Sequence, residues 1–229
     1  MSHIPFLWPG NKRIDIKNFE DYFPSDISLV VEPFAGSSAV SFHIGADCVL
    51  NDIDHGLYRF YNLLQEHSVE DVCQIAYNEA PKFDVVRIND VKHLELVKIF
   101  YTSTIRCKRK LKLKKVTRKM KKFKKFVTDK ATITNLDYLD VLNKYRDNKD
   151  CFIFLDPPYF DRAKILIDIL SLLQSAKCKV MLIINSNSIT KTLYNEFIAG
   201  TYYKIYSSNV IFEGKACGNA SEHLIVTNY

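Results

Sequence analysis

One short segment limits the possible folds of this chain more than any other: the apolar run Cys151–Leu155 (CFIFL), which stops at Asp156-Pro157-Pro158-Tyr159. A continuous apolar run of five residues that ends at prolines predicts a strand buried on both faces of a parallel sheet. Strand-like and helix-like segments alternate through much of the chain, which predicts an α/β fold with helices packed on a mostly parallel sheet. Further strands are predicted at Leu29–Glu32, Cys48–Asn51, Ala131–Thr134 and Lys179–Ile184, and helices at His55–Glu66, Tyr138–Tyr145 and Ala163–Ser175.

Two β-rich runs near the C-terminus, Tyr203–Phe212 and His223–Tyr229, are predicted to close the sheet as an antiparallel hairpin. The alternation is interrupted between Ser68 and Lys130 by a mainly helical region. One face of a helix is predicted there, because apolar residues recur at steps of three and four: Leu113, Val116, Met120, Phe123 and Val127. The expected organisation is a catalytic domain of residues 1–67 and 131–229, with residues 68–130 as a small helical insertion.

The insertion carries most of the positive charge. Thirteen of the 20 residues from Arg106 to Lys125 are Lys or Arg and none is acidic, whereas the rest of the chain has a net charge of −7. Such a patch on an otherwise acidic protein indicates a polyanionic partner, although a solvated charged helix face is the alternative. The residues expected to contact nucleic-acid phosphates are Arg106, Lys108, Arg109, Lys110, Lys114, Lys115, Arg118, Lys119, Lys121 and Lys122.

The composition argues against several other classes of protein, namely membrane-spanning, secreted and metal-binding proteins. Hydrophobic residues make up 47% and charged residues 25% of the 229 positions, as in ordinary globular proteins. No apolar run approaches the roughly 18–20 residues that span a bilayer, and the N-terminus lacks the pattern of a secretion signal. The six cysteines are scattered without metal-ligand spacing, which predicts free thiols, an intracellular location and no bound metal.

The segment Asp156-Pro157-Pro158-Tyr159 offers specific ligand-binding groups at the end of a strand. Ligands of parallel α/β sheets bind at the carboxyl ends of strands. Two prolines fix the backbone and leave the carbonyls of Asp156 and Pro157 rigid, so that a carboxylate and a carbonyl can together accept hydrogen bonds from one amino group. Tyr159 adds a flat face on which a base can stack. A plain strand-ending turn is the alternative.

Two further segments follow the first two predicted strands. Glu32-Pro33-Phe34-Ala35-Gly36-Ser37 places small residues before a helix, where the backbone can approach a ligand closely, although an ordinary βα turn is the alternative. Asn51-Asp52-Ile53-Asp54 places Asp52 where an acid can accept hydrogen bonds from ribose hydroxyls. Helix capping is the alternative for either aspartate, and Asp54 can cap while Asp52 binds a ligand.

In order and spacing, these segments resemble the Dam-type DNA adenine methyltransferases, the D12 class or alpha group. Phe6–Arg13 resembles the N-terminal W-x-G-x-K element of that family, and the likeness covers roughly residues 4–66 and 131–229. The resemblance implies a Rossmann-like class I methyltransferase sheet with a terminal antiparallel hairpin. It also implies S-adenosylmethionine as cofactor, with contacts from Trp8, Lys12, Glu32, Pro33, Phe34, Gly36, Asp52, Asp137 and Asp156.

The implied reaction is methyl transfer to the 6-amino group of adenine in DNA, most simply duplex DNA, after base flipping. Asp156, Pro157, Pro158 and Tyr159 would be the catalytic residues. The chain departs from the family in two places: the loop after Tyr159 is short, and an Arg/Asn/Gly/Phe-rich recognition hairpin is missing from residues 68–130. RNA or single-stranded DNA therefore stays open as the substrate, and so does a non-catalytic nucleic-acid-binding subunit of a methyltransferase complex. Assembly into a homo- or hetero-oligomer stays open as well.

Overall fold

A computed structural model describes residues 8, 12–72, 113–158, 162–205, 211–212, 215–216 and 220–229. Its main feature is a seven-stranded sheet, formed by β1 (Leu29–Glu32), β2 (Asp47–Asn51), β3 (Ala131–Thr134), β4 (Cys151–Leu155), β5 (Lys179–Asn185), β6 (Ile198–Ile205) and β9 (Ala220–Thr227). The order of these strands across the sheet is β3-β2-β1-β4-β5-β9-β6. Two short strands, β7 (Ile211–Phe212) and β8 (Lys215–Ala216), form a separate antiparallel pair.

Strands β1 to β5 pair in parallel, whereas β9 runs antiparallel to both β5 and β6. The helices described here are α1 (Ala39–Ile44), α2 (His55–Glu66), α3 (Leu113–Lys130), α4 (Tyr138–Tyr145), α5 (Arg162–Ser175) and α6 (Ser188–Leu193). In the part of the chain that is described, no helix combines the length and the apolarity needed to cross a bilayer.

Each central strand is buried on both faces. In β4, Phe152 and Phe154 pack with α1, α2 and α3 on one face, while Ile153 and Leu155 pack with α4 and α5 on the other. All five residues of this strand are at most 2% exposed. The continuous apolar run therefore forms the buried parallel strand that it predicts.

The predicted fold class is confirmed: the sheet is mostly parallel and closes with an antiparallel hairpin. The bounds of β1, β3, β4, α2 and α4 are those predicted. The predicted start of the first hairpin strand at Tyr203 is wrong, because β6 begins five residues earlier, at Ile198. Its first half contains Gly200, at which an added Cβ would lie 2.5 Å from the Tyr22 hydroxyl, and its register shifts between Ile198 and Gly200.

Helix α3 packs into the same core as the seven-stranded sheet. Met120, Phe123 and Val127 of the predicted apolar stripe are fully buried, together with Val72 from the other end of the predicted insertion. A further contact joins the two ends, since Lys121 Nζ lies 2.5 Å from the carboxylate of Glu70. The predicted insertion of residues 68–130 is thus anchored in the core at both ends, and the division into domains stays a prediction.

Candidate active site

A cavity of about 740 Å³ opens at the carboxyl ends of β1, β2 and β4. Strand β1 is the point at which the strand order reverses, with β2 on one side and β4 on the other. Open α/β sheets bind ligands at such a switch point, because the loops after neighbouring strands diverge there. The cavity brings together all nine residues predicted for the cofactor: Trp8, Lys12, Glu32, Pro33, Phe34, Gly36, Asp52, Asp137 and Asp156.

The loop between β1 and α1 forms one wall of this cavity. Gly36 has φ +47°, a left-handed conformation that favours glycine, and an added Cβ would lie 3.0 Å from Cδ1 of the Trp8 ring. The buried Tyr61 hydroxyl donates to the carbonyl of Gly36 at 2.6 Å. The left-handed backbone and the close approach of the indole therefore both favour glycine at this position.

The aspartates after β2 have different local roles. Asp54 caps helix α2, because its Oδ1 accepts from the backbone N–H groups of Gly56 and Leu57 at 2.8 and 3.0 Å. Asp52 instead accepts from the backbone N–H of Gly36 at 2.9 Å through Oδ2, and from that of Asp54 at 2.9 Å through Oδ1. Burial raises the pKa of Asp52, and the two backbone hydrogen bonds oppose that rise. Two lone pairs of the carboxylate remain available to a ligand.

Asn51 connects three segments of the cavity wall and was not singled out from the sequence. Its Nδ2 donates to the carbonyls of Pro33 and Leu136, both at 3.0 Å. Its Oδ1 accepts from the Thr134 hydroxyl and from the Leu136 backbone N–H, both at 2.8 Å. The side chain is 1% exposed, so all four of its hydrogen-bonding positions are satisfied inside the protein.

Glu32 is the buried acid of the cavity. One carboxylate oxygen accepts from the backbone N–H of Ser41 in α1 at 2.7 Å, and the residue is 3% exposed. Burial raises the pKa of Glu32 from 4.5 to about 7; the Ser41 hydrogen bonds lower it, and the nearby charges of Asp156 and Asp52 raise it further. The carboxyl therefore changes charge near neutral pH.

Lys12 and Asp156 form an ion pair across the cavity. Lys12 Nζ lies 2.5 Å from Oδ1 and 2.6 Å from Oδ2 of Asp156, although the two residues are 144 positions apart. The lysine side chain is 2% exposed and the aspartate side chain 18%. Pro157 is buried behind Asp156, whereas Pro158 faces solvent. The sequence indicated each residue separately but not that they touch, because no local pattern encodes a contact at this separation.

Aromatic and apolar side chains form another part of the cavity lining. Phe34 and Tyr138 pack with ring centroids 5.3 Å apart, and the Tyr138 hydroxyl donates to Asp168 at 2.7 Å. Ile53 also lines the cavity and is 70% exposed, an unusual position for a large apolar side chain. Asp137 lines the cavity as well and caps helix α4 through the backbone N–H of Leu139 at 2.9 Å.

Some predicted site residues lie outside the described part of the chain. Tyr159 is one of them, and so are Arg106, Lys108, Arg109 and Lys110. Helix α3 includes Lys114, Lys115, Arg118 and Lys119, whose side chains are likewise not described. Lys121 and Lys122 are exposed, and Lys121 pairs with Glu70 as stated above.

Comparison with known proteins identifies similar sequences. Residues 8–84 match the family described as D12 class N6 adenine-specific DNA methyltransferase. The chain is 25% identical over 257 residues to the type II methyltransferase M.CviBI of Paramecium bursaria Chlorella virus NC1A, covering 97% of this chain and 98% of that protein. The family match confirms the predicted resemblance and the predicted class of enzyme, an adenine-specific DNA methyltransferase.

Solved structures are similar to this chain only in broad outline. A precorrin 8W decarboxylase from Methanobacterium thermoautotrophicum has a TM-score of 0.45 at 10% identity, covering 99% of this chain and 98% of the other. A precorrin-6y C5,15-methyltransferase from Geobacter metallireducens GS-15 has a TM-score of 0.40 at 11% identity, covering 95% and 87%. The fold assignment made above rests on the strand order of the chain itself.

Proposed function

On the premise that the cofactor motifs of this chain are those of the D12 class, we propose that it transfers a methyl group from S-adenosylmethionine to the 6-amino group of adenine in duplex DNA. The observation that carries this proposal is the meeting of the Asp156-Pro157-Pro158 turn with the Gly36 loop and Asp52 around one cavity. A methyl acceptor and a methyl donor can therefore be held side by side, which is the main requirement of a displacement reaction.

The residues that line the cavity suit the proposed cofactor. When bound, S-adenosylmethionine supplies a methyl group on a positively charged sulfonium. Five acidic side chains line the cavity (Glu32, Asp52, Asp54, Asp137 and Asp156), and Lys12 is the basic one among the described lining residues. Acidic walls favour a ligand with net positive charge. The remaining lone pairs of Asp52 suit ribose hydroxyls, and the Phe34–Tyr138 wall suits an apolar or aromatic group.

The turn after β4 provides the chemistry toward the amino group. The Asp156 carboxylate and the Pro157 carbonyl would accept its two hydrogens, which directs the nitrogen lone pair away from the adenine ring and toward the methyl group. Pro157 has a fixed φ angle, and Pro158 restricts the backbone of the residue before it, so the Pro157 carbonyl is held in position before substrate arrives. The contribution of the chain is thus positioning rather than proton abstraction at the ring.

An adenine paired inside a duplex cannot reach this cavity, so the base must rotate out of the helix. We expect Tyr159 to stack on the displaced base and the basic residues from Arg106 to Lys122 to contact phosphates. Such contacts position a protein on DNA but do not read its sequence. The exposed ion pair of Lys121 with Glu70 does not oppose this role, because surface ion pairs contribute only about 0–1 kcal/mol and can be exchanged for a phosphate.

The decisive experiment measures transfer of labelled methyl groups to unmethylated duplex DNA, single-stranded DNA and RNA, with the product nucleosides identified by mass spectrometry. The proposal expects N6-methyladenine in duplex DNA and its loss in Asp156→Ala. Product in RNA or single strands alone would move the substrate to those polymers. Cofactor binding without any product would instead indicate a subunit that needs a partner for catalysis.

The cofactor site has a separate test that does not depend on catalysis. Asp52→Ala should weaken binding of S-adenosylmethionine in calorimetry, because the variant loses the acceptors expected for the ribose. The matched control is Asp140→Ala, the same substitution at an exposed aspartate of α4 that does not line the cavity. Equal affinity of Asp52→Ala and wild type would remove Asp52 from the cofactor site.

A further inference from the structure

The contact between Lys12 and Asp156 is unusual for a lysine that is expected to bind a ligand. Both carboxylate oxygens lie within 2.6 Å of Nζ, and the lysine side chain is 2% exposed. The family resemblance assigns Lys12 to the cofactor, near its carboxylate. The structure places the ammonium group on the aspartate that is expected to accept the amino group of the substrate.

Stability alone is a weak reason for this ion pair. Withdrawing an ammonium group from water costs several kcal/mol, and a buried ion pair often stabilises a protein no more than apolar residues of similar size would. Lys12 also belongs to a short 3-10 helix, Lys12–Ile14, which lies outside the βα units. The contact therefore joins the N-terminal segment directly to the end of β4.

The electrostatic surroundings explain what the ammonium group does for Asp156. Four other acidic side chains line the cavity, namely Glu32, Asp52, Asp54 and Asp137. The charges of Asp156 and Glu32 act on each other across this space, since Asp156 is among the groups that raise the pKa of Glu32. A cation on Asp156 offsets the repulsion from these neighbours, which would otherwise favour a proton on the carboxylate.

The geometry also fixes the orientation of the carboxylate. One nitrogen that contacts both oxygens restricts rotation of the carboxylate about its terminal bond. We infer that Lys12 is a positioning residue for Asp156, holding its carboxylate charged and oriented for the methyl acceptor. This role rests on the proposed function, since it concerns the same reaction.

The first measurement concerns the ligand-free protein and needs no catalysis. Asp156 is followed by carbon NMR of its side-chain carboxyl during a pH titration, with the signal assigned from Asp156→Asn. In Lys12→Met, which keeps an unbranched side chain only one atom shorter but removes the charge, the titration midpoint of Asp156 should move to higher pH. Lys12→Arg should keep it close to wild type. The matched control is Lys17→Met, an exposed lysine on the following turn.

The second measurement separates positioning from cofactor binding. In Lys12→Met, kcat should fall on the order of 100-fold, as expected for a misplaced reacting group. The acidic limb of the kcat profile should move to higher pH, while calorimetric affinity for S-adenosylmethionine changes by less than about threefold. Lys12→Arg should recover part of kcat. If Lys12→Met does not fold, as judged by circular dichroism, Lys12→Gln takes its place in both measurements.

Two results would overturn the inference. One is an Asp156 titration that is the same in wild type and in the uncharged variant. The other is a loss of cofactor affinity as large as the loss of kcat, which would make Lys12 a cofactor ligand. Wild-type protein that transfers no methyl group to any nucleic acid would refute the proposed function instead, and the NMR titration would still decide whether Lys12 controls Asp156.

Discussion

Replacing Asn51 by alanine removes four hydrogen bonds from a side chain that is 1% exposed. A typical intramolecular hydrogen bond contributes about 1 kcal/mol, so the expected loss of unfolding free energy is roughly 4 kcal/mol. The loss has this size because the carbonyls of Pro33 and Leu136 keep their positions in the fold and are left without their partner. For a chain of this length, that corresponds to a decrease in Tm of roughly 8–16 °C.

Equilibrium urea unfolding, followed by circular dichroism, measures this change directly. The matched control is Asn135→Ala on the adjacent turn, which makes two hydrogen bonds instead of four: its Nδ2 donates to the Asp52 carbonyl at 2.7 Å, and its Oδ1 hydrogen-bonds the exposed His55 ring at 2.8 Å. We expect that control to lose about 2 kcal/mol or less. An Asn51→Ala variant no less stable than Asn135→Ala would refute the idea that Asn51 holds the cavity walls together. Since those walls carry cofactor residues, Asn51→Ala should also weaken calorimetric binding of S-adenosylmethionine.

Three other variants test separate parts of the site. Gly36→Ala should lower the free energy of unfolding by about 1–2 kcal/mol, because Gly36 has a left-handed backbone conformation. The control is Gly45→Ala, which has the same kind of conformation but whose added Cβ would meet nothing within 4 Å. A larger loss of cofactor affinity in Gly36→Ala than in Gly45→Ala would be due to the contact with Trp8. Because burial raises the pKa of Glu32 from 4.5 to about 7, the folded state binds this proton more tightly than the unfolded chain. As the pH rises between those two values, the free energy of unfolding of the wild type, measured with urea, should therefore fall by up to roughly 3 kcal/mol relative to Glu32→Gln. Parallel pH profiles of the two proteins' unfolding free energies would contradict this. Finally, replacing four basic residues of α3 by glutamine should weaken DNA binding and make its affinity less dependent on salt concentration. The four positions are Lys114, Lys115, Arg118 and Lys119. An unchanged slope of affinity against salt concentration would indicate that these residues contact a different partner.

Segments with strong local signals were predicted closely. The bounds of β1 and β4 agree with prediction because continuous apolar runs end there at polar or proline residues. Helix α2 agrees because Asp54 marks its start as a cap. Strand β6 was placed too late, since its first residues include Gly200 and a register shift and therefore lack the alternation of an ordinary strand.

The candidate site was predicted residue by residue but not as a set of contacts. The positions of Gly36 and Asp52 followed from strand ends and turn chemistry, which are local properties. The four-bond role of Asn51 and the pairing of Lys12 with Asp156 depend on segments that are brought together only by the folded sheet. The raised pKa of Glu32 depends likewise on burial, which a short sequence pattern does not specify.

The salt bridge between Glu70 and Lys121, beside the buried Val72 and Met120, has a consequence for protein engineering. Residues 72 and 120 belong to one buried core, so the two ends of the intervening stretch lie at neighbouring points of the α/β body. Chimeras could accordingly exchange the residues between 72 and 113 for those of a relative, joining the pieces at two sites that the body itself holds together. The cavity residues all lie outside that stretch and would be carried over unaltered, so such chimeras would test whether the exchanged residues affect the choice of substrate.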